Sequence, residues 1–419
     1  MNCPKRAKLF SMKVKFCIGK SLQKYFIFGI VPKLFLAPVA FLLIASAVAI
    51  RPFLLIQFVK VDWQFGHMLA ITHASELNNS KRNKTHKRKR VLIYCLIGTI
   101  SNKYVLQKLR ENIVIFHGHL AWLLIYFCRK VTGTLFEDPN LASIQYYENQ
   151  EPLIKFNEIE KSNGKNFLSH ESENFVCLNV RCSAYNESMN QKHGLNLKPW
   201  VSRNSDIKTY VNAIEKLTIM GYQVYRMGQV VQERIPELNS RVHDYANNGS
   251  RTEFLDIYLG AFCKFAVSTM SGWDDVIVIF KRPLLAVNVY DFLNISNLSR
   301  QCLIFPKLLF RNDQLILLDE IIDMWSSGYF NERHVNLSTL GVGIRDLTSE
   351  ELVEAVTEMA QRVEGTFVET PEQKEMQAKL KHILSTHPKL QPSPNYYPIR
   401  AQFASCFLSR YPNFLDGLD

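Results

Sequence analysis

The stretches that decide the fold of this chain are Phe175-Val-Cys-Leu-Asn-Val-Arg-Cys-Ser-Ala-Tyr185 and Phe265-Ala-Val-Ser-Thr-Met-Ser-Gly272. Each is a short apolar run that ends in small or polar residues, which is typical of a buried parallel strand followed by a loop. Ligands of open α/β sheets bind just beyond the carboxyl ends of such strands. We therefore expect Arg181 and the loop 268–272 to lie together on one ligand-binding edge.

The residue types on this edge favour a phosphate-containing ligand. The planar fork of an arginine donates two parallel charge-assisted hydrogen bonds to a phosphate. Small hydroxyl residues ahead of a helix add backbone N–H groups and the positive end of the helix dipole. Taken singly, Arg181 is equally consistent with a surface ion pair, and the loop 268–272 with an ordinary turn. Their order along one α/β series is more specific than either feature.

The net charge is concentrated in two segments. The chain has 419 residues, enough for two domains and an appendage, and a formal charge of +12. Residues 1–24 and 81–90 carry seven cations each, and no acid precedes Asp62. The remainder is near neutral, which disfavours a nucleic-acid binder, since such a protein needs a basic face on its folded domain. Basic tracts beside an apolar segment fit an anionic lipid surface better.

Several classes of protein lack support in the sequence. The nine cysteines form no CxxC pair and have no metal-ligand spacing, so we interpret them as reduced core thiols of a cytosolic protein and expect no metal site. There is no GxGxxG, P-loop, HExxH or GxSxG motif. Their absence disfavours a dehydrogenase, a P-loop ATPase, a zinc protease and an α/β-hydrolase.

The residues from Tyr25 to Ile50 are almost wholly apolar and are interrupted by Pro32, Lys33 and Pro38. The segment is long enough to span a bilayer, and its basic flank predicts a cytosolic N-terminus. A single span would then place the rest of the chain outside, where activated nucleotides are scarce. We therefore expect a hairpin-like or interfacial segment, with the protein on the cytoplasmic face of the inner membrane.

Alternating strand and helix patterns predict an α/β fold with parallel sheets. The basic run 81–90 is expected to be a surface loop. The predicted organisation is a basic and apolar membrane-associated leader at 1–52, an α/β domain at 53–150, a polar linker at 151–174, a second α/β domain at 175–345 and a helical segment at 346–419.

From about residue 172 onward, the chain resembles a family of bacterial glycosyltransferases of surface-carbohydrate biosynthesis. The segments that carry the resemblance are 180–185, 203–207, 221–228, 254–258, 263–272, 281–288 and 354–359, with a weaker one at 65–69. The C-terminal motifs also look like those of fucosyltransferases. The resemblance implies a GT-B-like architecture, in which two Rossmann-like domains face each other across a cleft. The N-terminal domain would then be the acceptor side, and the C-terminal domain would bind the nucleotide sugar.

The implied activity is transfer of a hexosyl or deoxyhexosyl group from a nucleotide sugar to a surface-glycan or lipid-linked acceptor. No cofactor and no metal are expected, because no DxD-type motif other than Asp274-Asp275 follows a strand. By the resemblance, Arg181 holds the donor phosphates. The donor pocket is then lined by Ser268, Thr269, Ser271 and Gly272, with Tyr185, Arg226 and Asp256 in base, ribose or orientation roles. His67 is the best candidate for the general base, and an ordinary structural histidine is an equal alternative.

Three positions depart from the family pattern. Cys182 stands where the family has an aspartate, Met270 where it has the first glycine of the loop, and Gln64 where it has an arginine. These departures favour an alternative hypothesis, in which the chain is a catalytically degenerate GT-B-fold binding or scaffold protein at the membrane.

Overall fold

The computed structural model describes residues 31–131, 133–137, 151–168, 174–194, 201–295, 298–330, 337–391 and 398–418. Its contacts divide the chain into two units. Unit 1 comprises residues 1–101 and 109–139, and unit 2 comprises residues 102–108 and 140–419. The basic stretch 1–24 and the start of the apolar segment lie outside the described residues.

Unit 1 is built on a parallel sheet. Its strands are β1 Leu55–Asp62, β2 Arg90–Ile97, β3 Val114–His117 and β4 Phe136–Glu137, in the order β3-β2-β1-β4. The helices that precede or connect these strands along the chain are α1 Val31–Ala49, α2 Phe65–Thr85, α3 Lys103–Arg110 and α4 His119–Val131; most of α3 (residues 103–108) is assigned to unit 2. One face of α1 packs on α4, where Ala40, Ile44 and Ala47 are buried beside Leu124 and Cys128.

Unit 2 contains a seven-stranded parallel sheet. Its strands are β5 Phe175–Asn179, β6 Gln223–Arg226, β7 Val242–His243, β8 Phe265–Ser268, β9 Leu284–Val289, β10 Leu303–Pro306 and β14 Gln402–Phe403. Their order in the sheet is β14-β10-β9-β8-β5-β6-β7. A small antiparallel sheet is formed by β11 Leu308–Arg311, β12 Gln314–Leu315 and β13 Gly343–Arg345. Every residue of β5, β8 and β9 is buried, as expected for parallel strands covered on both faces.

The helices of unit 2 are α5 Glu158–Leu168, α6 Ala184–His193, α7 Val211–Ile219, α8 Glu253–Phe262, α9 Asp274–Ile279, α10 Leu318–Ser326, α11 Ser349–Val363, α12 Pro371–Thr386 and α13 Ser405–Arg410. The N-terminus of α11 is fixed by a capping box, in which Thr348 and Glu351 each bond the backbone N–H of the other. Most of these helices follow or precede a strand of the large sheet.

The predicted α/β fold with parallel sheets is confirmed in both units. The prediction of a loop at 81–90 is wrong, because α2 continues through the basic run to Thr85 and β2 begins at Arg90. Lysine and arginine are good helix formers, so the charges do not end the helix. The segment 151–174, predicted as a linker, contains α5.

Within the described part of the apolar segment, Val31–Ala49 form one helix with Pro38 in its interior. Within the ranges described above, no helix combines the length and apolarity needed to cross a membrane.

Candidate phosphate-binding edge

The large sheet of unit 2 has a switch point between β5 and β8. From β5 the chain adds β6 and β7 on one side, and then β8, β9 and β10 on the other. Asn179 and Ser268, the last residues of the two strands, are paired in register. The loops that follow them therefore leave the sheet side by side at the carboxyl edge. In open α/β sheets this is the place where ligands bind.

Backbone and side-chain bonds hold these two loops together. The N–H of Thr269 donates to the carbonyl oxygen of Asn179 at 3.1 Å. The N–H of Arg181 donates to the hydroxyl of Thr269 at 2.8 Å. The structure thus brings Arg181 and the loop 268–272 together as the sequence predicts. The Thr269 hydroxyl is buried and acts as the link between the loops.

The loop after β8 is held by a second set of bonds around Ser271. Its hydroxyl accepts from the amide of Asn179 at 2.6 Å and from the N–H of Trp273 at 3.1 Å. Its own N–H donates to the Asp274 carboxylate at 2.8 Å. Ser268 is fully buried and Gly272 is exposed. The hydroxyl of Ser271 therefore helps to position the backbone of this loop.

Arg203 brings a second guanidinium to the same edge. Its terminal nitrogen donates to the carbonyl oxygen of Met270 at 2.7 Å, and the N–H of Ser205 donates to the carbonyl oxygen of Arg181 at 3.0 Å. The buried Lys307 fixes this third loop by donating to the carbonyl oxygen of Asn204 at 2.7 Å. Three loops and two arginines therefore converge on the switch point.

Met270 occupies the left-handed region of the backbone, with φ of 62°. An L-residue with a side chain costs roughly 1–2 kcal/mol in this region, whereas glycine has no such cost. This conformation gives a physical reason for a glycine at this position in the family that the sequence resembles.

We expect Met270→Gly to raise the free energy of unfolding by about 0.5–1 kcal/mol, because relief of strain exceeds the added entropy of the unfolded chain. Chemical denaturation measures the change. Asn312→Gly is the control: Asn312 has φ of 48°, and asparagine tolerates this region, so little change is expected. A less stable Met270→Gly protein would mean that packing of the methionine outweighs the strain.

Two buried carboxyl groups lie among these loops. Burial raises the pKa of Asp274 to about 6, while the bond from Ser271 and the charges of Arg203 and Arg181 oppose the rise. Burial also raises the pKa of Asp291 to about 6, again opposed by Arg203. The charge of Arg203 acts on both carboxyl groups, and that of Arg181 acts on Asp274. The edge therefore carries charges of both signs.

The raised pKa of Asp274 makes stability depend on pH. The folded protein binds this proton more tightly than the unfolded chain, whose carboxyl has a pKa near 3.8, so the contribution is full below that pH and is lost as pH rises to about 6. Asp274→Asn removes this dependence. The free energy of unfolding of the variant, relative to that of wild type, should therefore increase as the pH is raised from 4 to 7, by at most about 3 kcal/mol. Denaturation curves at both pH values test this, and an unchanged difference would contradict it.

The remaining residues of unit 2 that were predicted to belong to the site are Tyr185, Asp256 and Arg226. Tyr185 is in the first turn of α6; burial raises its pKa, and the charge of Arg251 opposes the rise. Asp256 in α8 pairs with Arg251 at 2.5 Å and accepts from the Tyr245 hydroxyl at 3.1 Å. Its carbonyl oxygen accepts from the indole N–H of Trp273 at 2.8 Å, which links α8 to the loop after β8.

Arg226 lies in the interior of unit 2. It is 1% exposed, and its guanidinium pairs with Asp244 at 3.2 Å. The structure therefore places this predicted donor-site residue inside the fold, where its charge is matched by a carboxylate.

His67 lies at the corresponding switch point of unit 1. β1 is flanked by β2 on one side and β4 on the other, and the chain passes from Asp62 at the end of β1 into α2, whose first turn contains His67. Nδ1 of His67 is 3.6 Å from the Asp62 carboxylate. Interaction with His67 is the largest cause of the lowered pKa of Asp62. A carboxylate beside one ring nitrogen favours the tautomer that leaves the other free to accept a proton.

Sequence patterns alone give little reason to choose Arg203, Asn179 or Asp274. Arg203 and Asp274 each fit a helix start, and their contacts join segments far apart in the chain. Among the described residues, no group of three or more His, Cys, Asp or Glu side chains could hold a metal ion.

No protein-family model and no curated protein matches the chain. Among solved structures, it is similar to the E. coli ADP-heptose LPS heptosyltransferase II, with 13% identity and a TM-score of 0.43 over 74% of this chain and 100% of that one. A glycosyl transferase family 9 protein from Veillonella parvula has 11% identity and a TM-score of 0.42 over 73% and 97%. The iron-containing heptosyltransferase TibC in complex with ADP-D-beta-D-heptose has 11% identity and a TM-score of 0.39 over 74% and 76%.

Proposed function

We propose that the chain is a glycosyltransferase that moves a sugar from a nucleotide-sugar donor to a surface-glycan or lipid-linked acceptor, with the donor phosphates bound at the switch point of unit 2. The observation that carries this proposal is the convergence of Arg181, Arg203 and the loop 268–272 beyond β5 and β8. The motif resemblance supports the reaction type. The sugar is expected to be of the hexosyl or deoxyhexosyl class, as the family resemblance implies.

The chemistry of sugar transfer fits this edge. Departure of a nucleoside diphosphate places negative charge on the phosphate oxygens, and the guanidinium groups of Arg181 and Arg203 would stabilise that charge. Arg181 is held through its backbone, because its N–H and its carbonyl oxygen are bonded to Thr269 and Ser205. Because these arginines stabilise the developing charge in this mechanism, treatment with a chelator should leave transfer unchanged.

His67 is our proposed general base for the acceptor hydroxyl, with Asp62 orienting its ring. His67→Ala should lower kcat by about 10²–10⁴-fold and leave donor binding unchanged, since a general base acts on proton transfer. The control is His86→Ala, which removes an exposed histidine beyond the end of α2. Equal activity of the His67→Ala protein and wild type would mean that His67 is not the general base and has only a structural role.

A thermal-shift screen with GDP, UDP, CDP and ADP tests the donor site. A nucleotide that binds only the folded protein stabilises it by mass action, by about 2.7 kcal/mol at one hundred times its Kd. We expect one of the four to stabilise the wild-type chain. The control cation is Lys264, which is exposed and directly precedes β8, at the opposite end of that strand.

The pattern across variants decides between transferase and scaffold. Stabilisation that is retained in Lys264→Ala and lost in Arg181→Ala supports a donor site at the switch point. Absence of stabilisation by all four nucleotides, in a folded protein, favours the scaffold alternative suggested by Cys182 and Met270.

A further inference from the structure

The outer face of α1 exposes large apolar side chains. Leu34, Phe35, Phe41 and Leu42 are 60–77% exposed, and Phe53 just beyond the helix is 82% exposed. The opposite face of the same helix packs on α4. A helix that is apolar all round is normally covered on every side, and a contiguous exposed apolar patch marks an interaction surface. We call these five residues the apolar ridge.

A cationic cavity of unit 1 lies beside the start of α1. It has a volume of about 510 Å³ and is lined by Lys60, Ile97, Trp122, Ile125, Tyr126, Arg129 and Lys130. The rings of Trp122 and Tyr126 stack at 5.1 Å and are both partly exposed. Lys33 of α1 places its ammonium 4.2 Å from the centre of the Trp122 ring, so the start of α1 reaches the mouth of the cavity.

The charges around this surface have one dominant sign. The cavity lining contains three cations and no acid; one of the cations, Lys60, lies 3.4 Å from the Asp62 carboxylate, which leaves Arg129 and Lys130 as the main charges. No acid occurs in the sequence before Asp62, and α4 contains none. A protein partner of ordinary composition does not require such a bias, whereas an anionic bilayer attracts each nearby lysine or arginine and accepts apolar side chains below its headgroups.

We propose that the apolar ridge and the cavity form a docking surface for an anionic phospholipid bilayer. The ridge side chains enter the interface between headgroups and acyl chains. Arg129 and Lys130 bind headgroup phosphates, and the stacked Trp122 and Tyr126 lie at headgroup level, where amphipathic rings are favoured. This assignment is independent of the transferase reaction.

Flotation of the full chain with vesicles tests the proposal. One set of vesicles is phosphatidylcholine alone, and the other is equal parts phosphatidylcholine and phosphatidylglycerol. Wild type should bind the anionic vesicles more tightly, and added salt should weaken that preference. Phe35→Gln with Phe41→Gln should weaken binding to both sets by about tenfold or more, because two large apolar side chains no longer enter the bilayer.

Arg129→Gln with Lys130→Gln should weaken binding to the anionic vesicles by about thirtyfold and leave binding to neutral vesicles unchanged. The matched controls are Ile219→Gln with Val368→Gln, two exposed apolar residues of unit 2, and Lys374→Gln with Lys381→Gln on α12. Both controls should bind as wild type does. All substituted side chains are at least partly exposed, and circular dichroism should confirm that each variant is folded.

Three results would overturn the proposal. The first is equal binding by wild type and both test variants. The second is loss of binding only when the cations of residues 1–24 are replaced, which would assign the membrane contact to that stretch. The third is a self-associated form that disappears in the Phe35→Gln, Phe41→Gln protein, which would make a second copy of the chain the occupant of the ridge.

Discussion

Arg181→Ala should weaken binding of the stabilising nucleoside diphosphate by about 100-fold, which corresponds to roughly 3 kcal/mol for a bidentate charge-assisted pair. Transfer should fall further, by about 10²–10³-fold in kcat, since the guanidinium acts most strongly on the charge that develops as the diphosphate departs. Titration calorimetry measures the first effect and a transfer assay the second.

The backbone of Arg181 remains in place in this variant, because its contacts to Thr269 and Ser205 use main-chain atoms. The unfolding midpoint without ligand should therefore stay close to that of wild type. Arg181→Lys is the informative intermediate: it keeps the charge but loses the planar fork, so it should recover only part of the affinity. Full affinity in Arg181→Ala would remove this residue from the phosphate site.

Asp244→Ala should be the most destabilising single change proposed for unit 2, by about 3–5 kcal/mol, because it leaves the buried guanidinium of Arg226 without a counter-charge. Asp244 also accepts from the N–H of Ile235 at 3.2 Å and from the amide of Asn247 at 2.8 Å. Chemical denaturation should show the loss as a lower midpoint with a similar slope.

Two further variants separate charge from shape. Asp244→Asn keeps an acceptor of the same size and should lose less stability than Asp244→Ala. Glu158→Ala breaks an ion pair with Lys161 at the surface, and its midpoint should equal that of wild type, because exposed pairs contribute little. If Asp244→Ala were as stable as wild type, the pair with Arg226 would have no role in holding the interior of unit 2.

The framework of the fold could be predicted because buried parallel strands have continuous apolar sequences. The stretch that begins at Phe175 and the one that begins at Phe265 each became a fully buried strand, and their pairing placed both following loops at one edge. The helix at 119–131 packs apolar side chains on the unit 1 sheet and on α1.

The contacts that complete the candidate site were harder to predict. The bond from Arg203 to the carbonyl oxygen of Met270 joins residues 67 positions apart, and neither local pattern signals the other. Asp274 reads as an acid at the start of a helix, and only the fold shows that it is buried and bonded to Ser271. Arg226 was a candidate ligand-binding residue on sequence grounds. A sequence pattern does not reveal that its guanidinium pairs with Asp244 inside the unit.

The basic run 81–90 was predicted wrongly, because its charges suggested a solvated loop. The N–H of Arg90 donates to the Asn83 side chain at 2.7 Å, and its guanidinium donates to Gln57 of β1 at 3.0 Å. The first contact connects the end of α2 to the start of β2, and the second connects β2 to β1. The high charge of this run therefore gave no indication that a helix ends and a strand begins within it.

The most direct measurement is a crystal structure of the full chain with the nucleoside diphosphate that stabilises it. We expect the diphosphate to lie beyond the carboxyl ends of β5 and β8, with its oxygens within hydrogen-bond distance of the Arg181 guanidinium. A diphosphate bound elsewhere, such as in the cavity lined by Lys60 and Arg129, would contradict it.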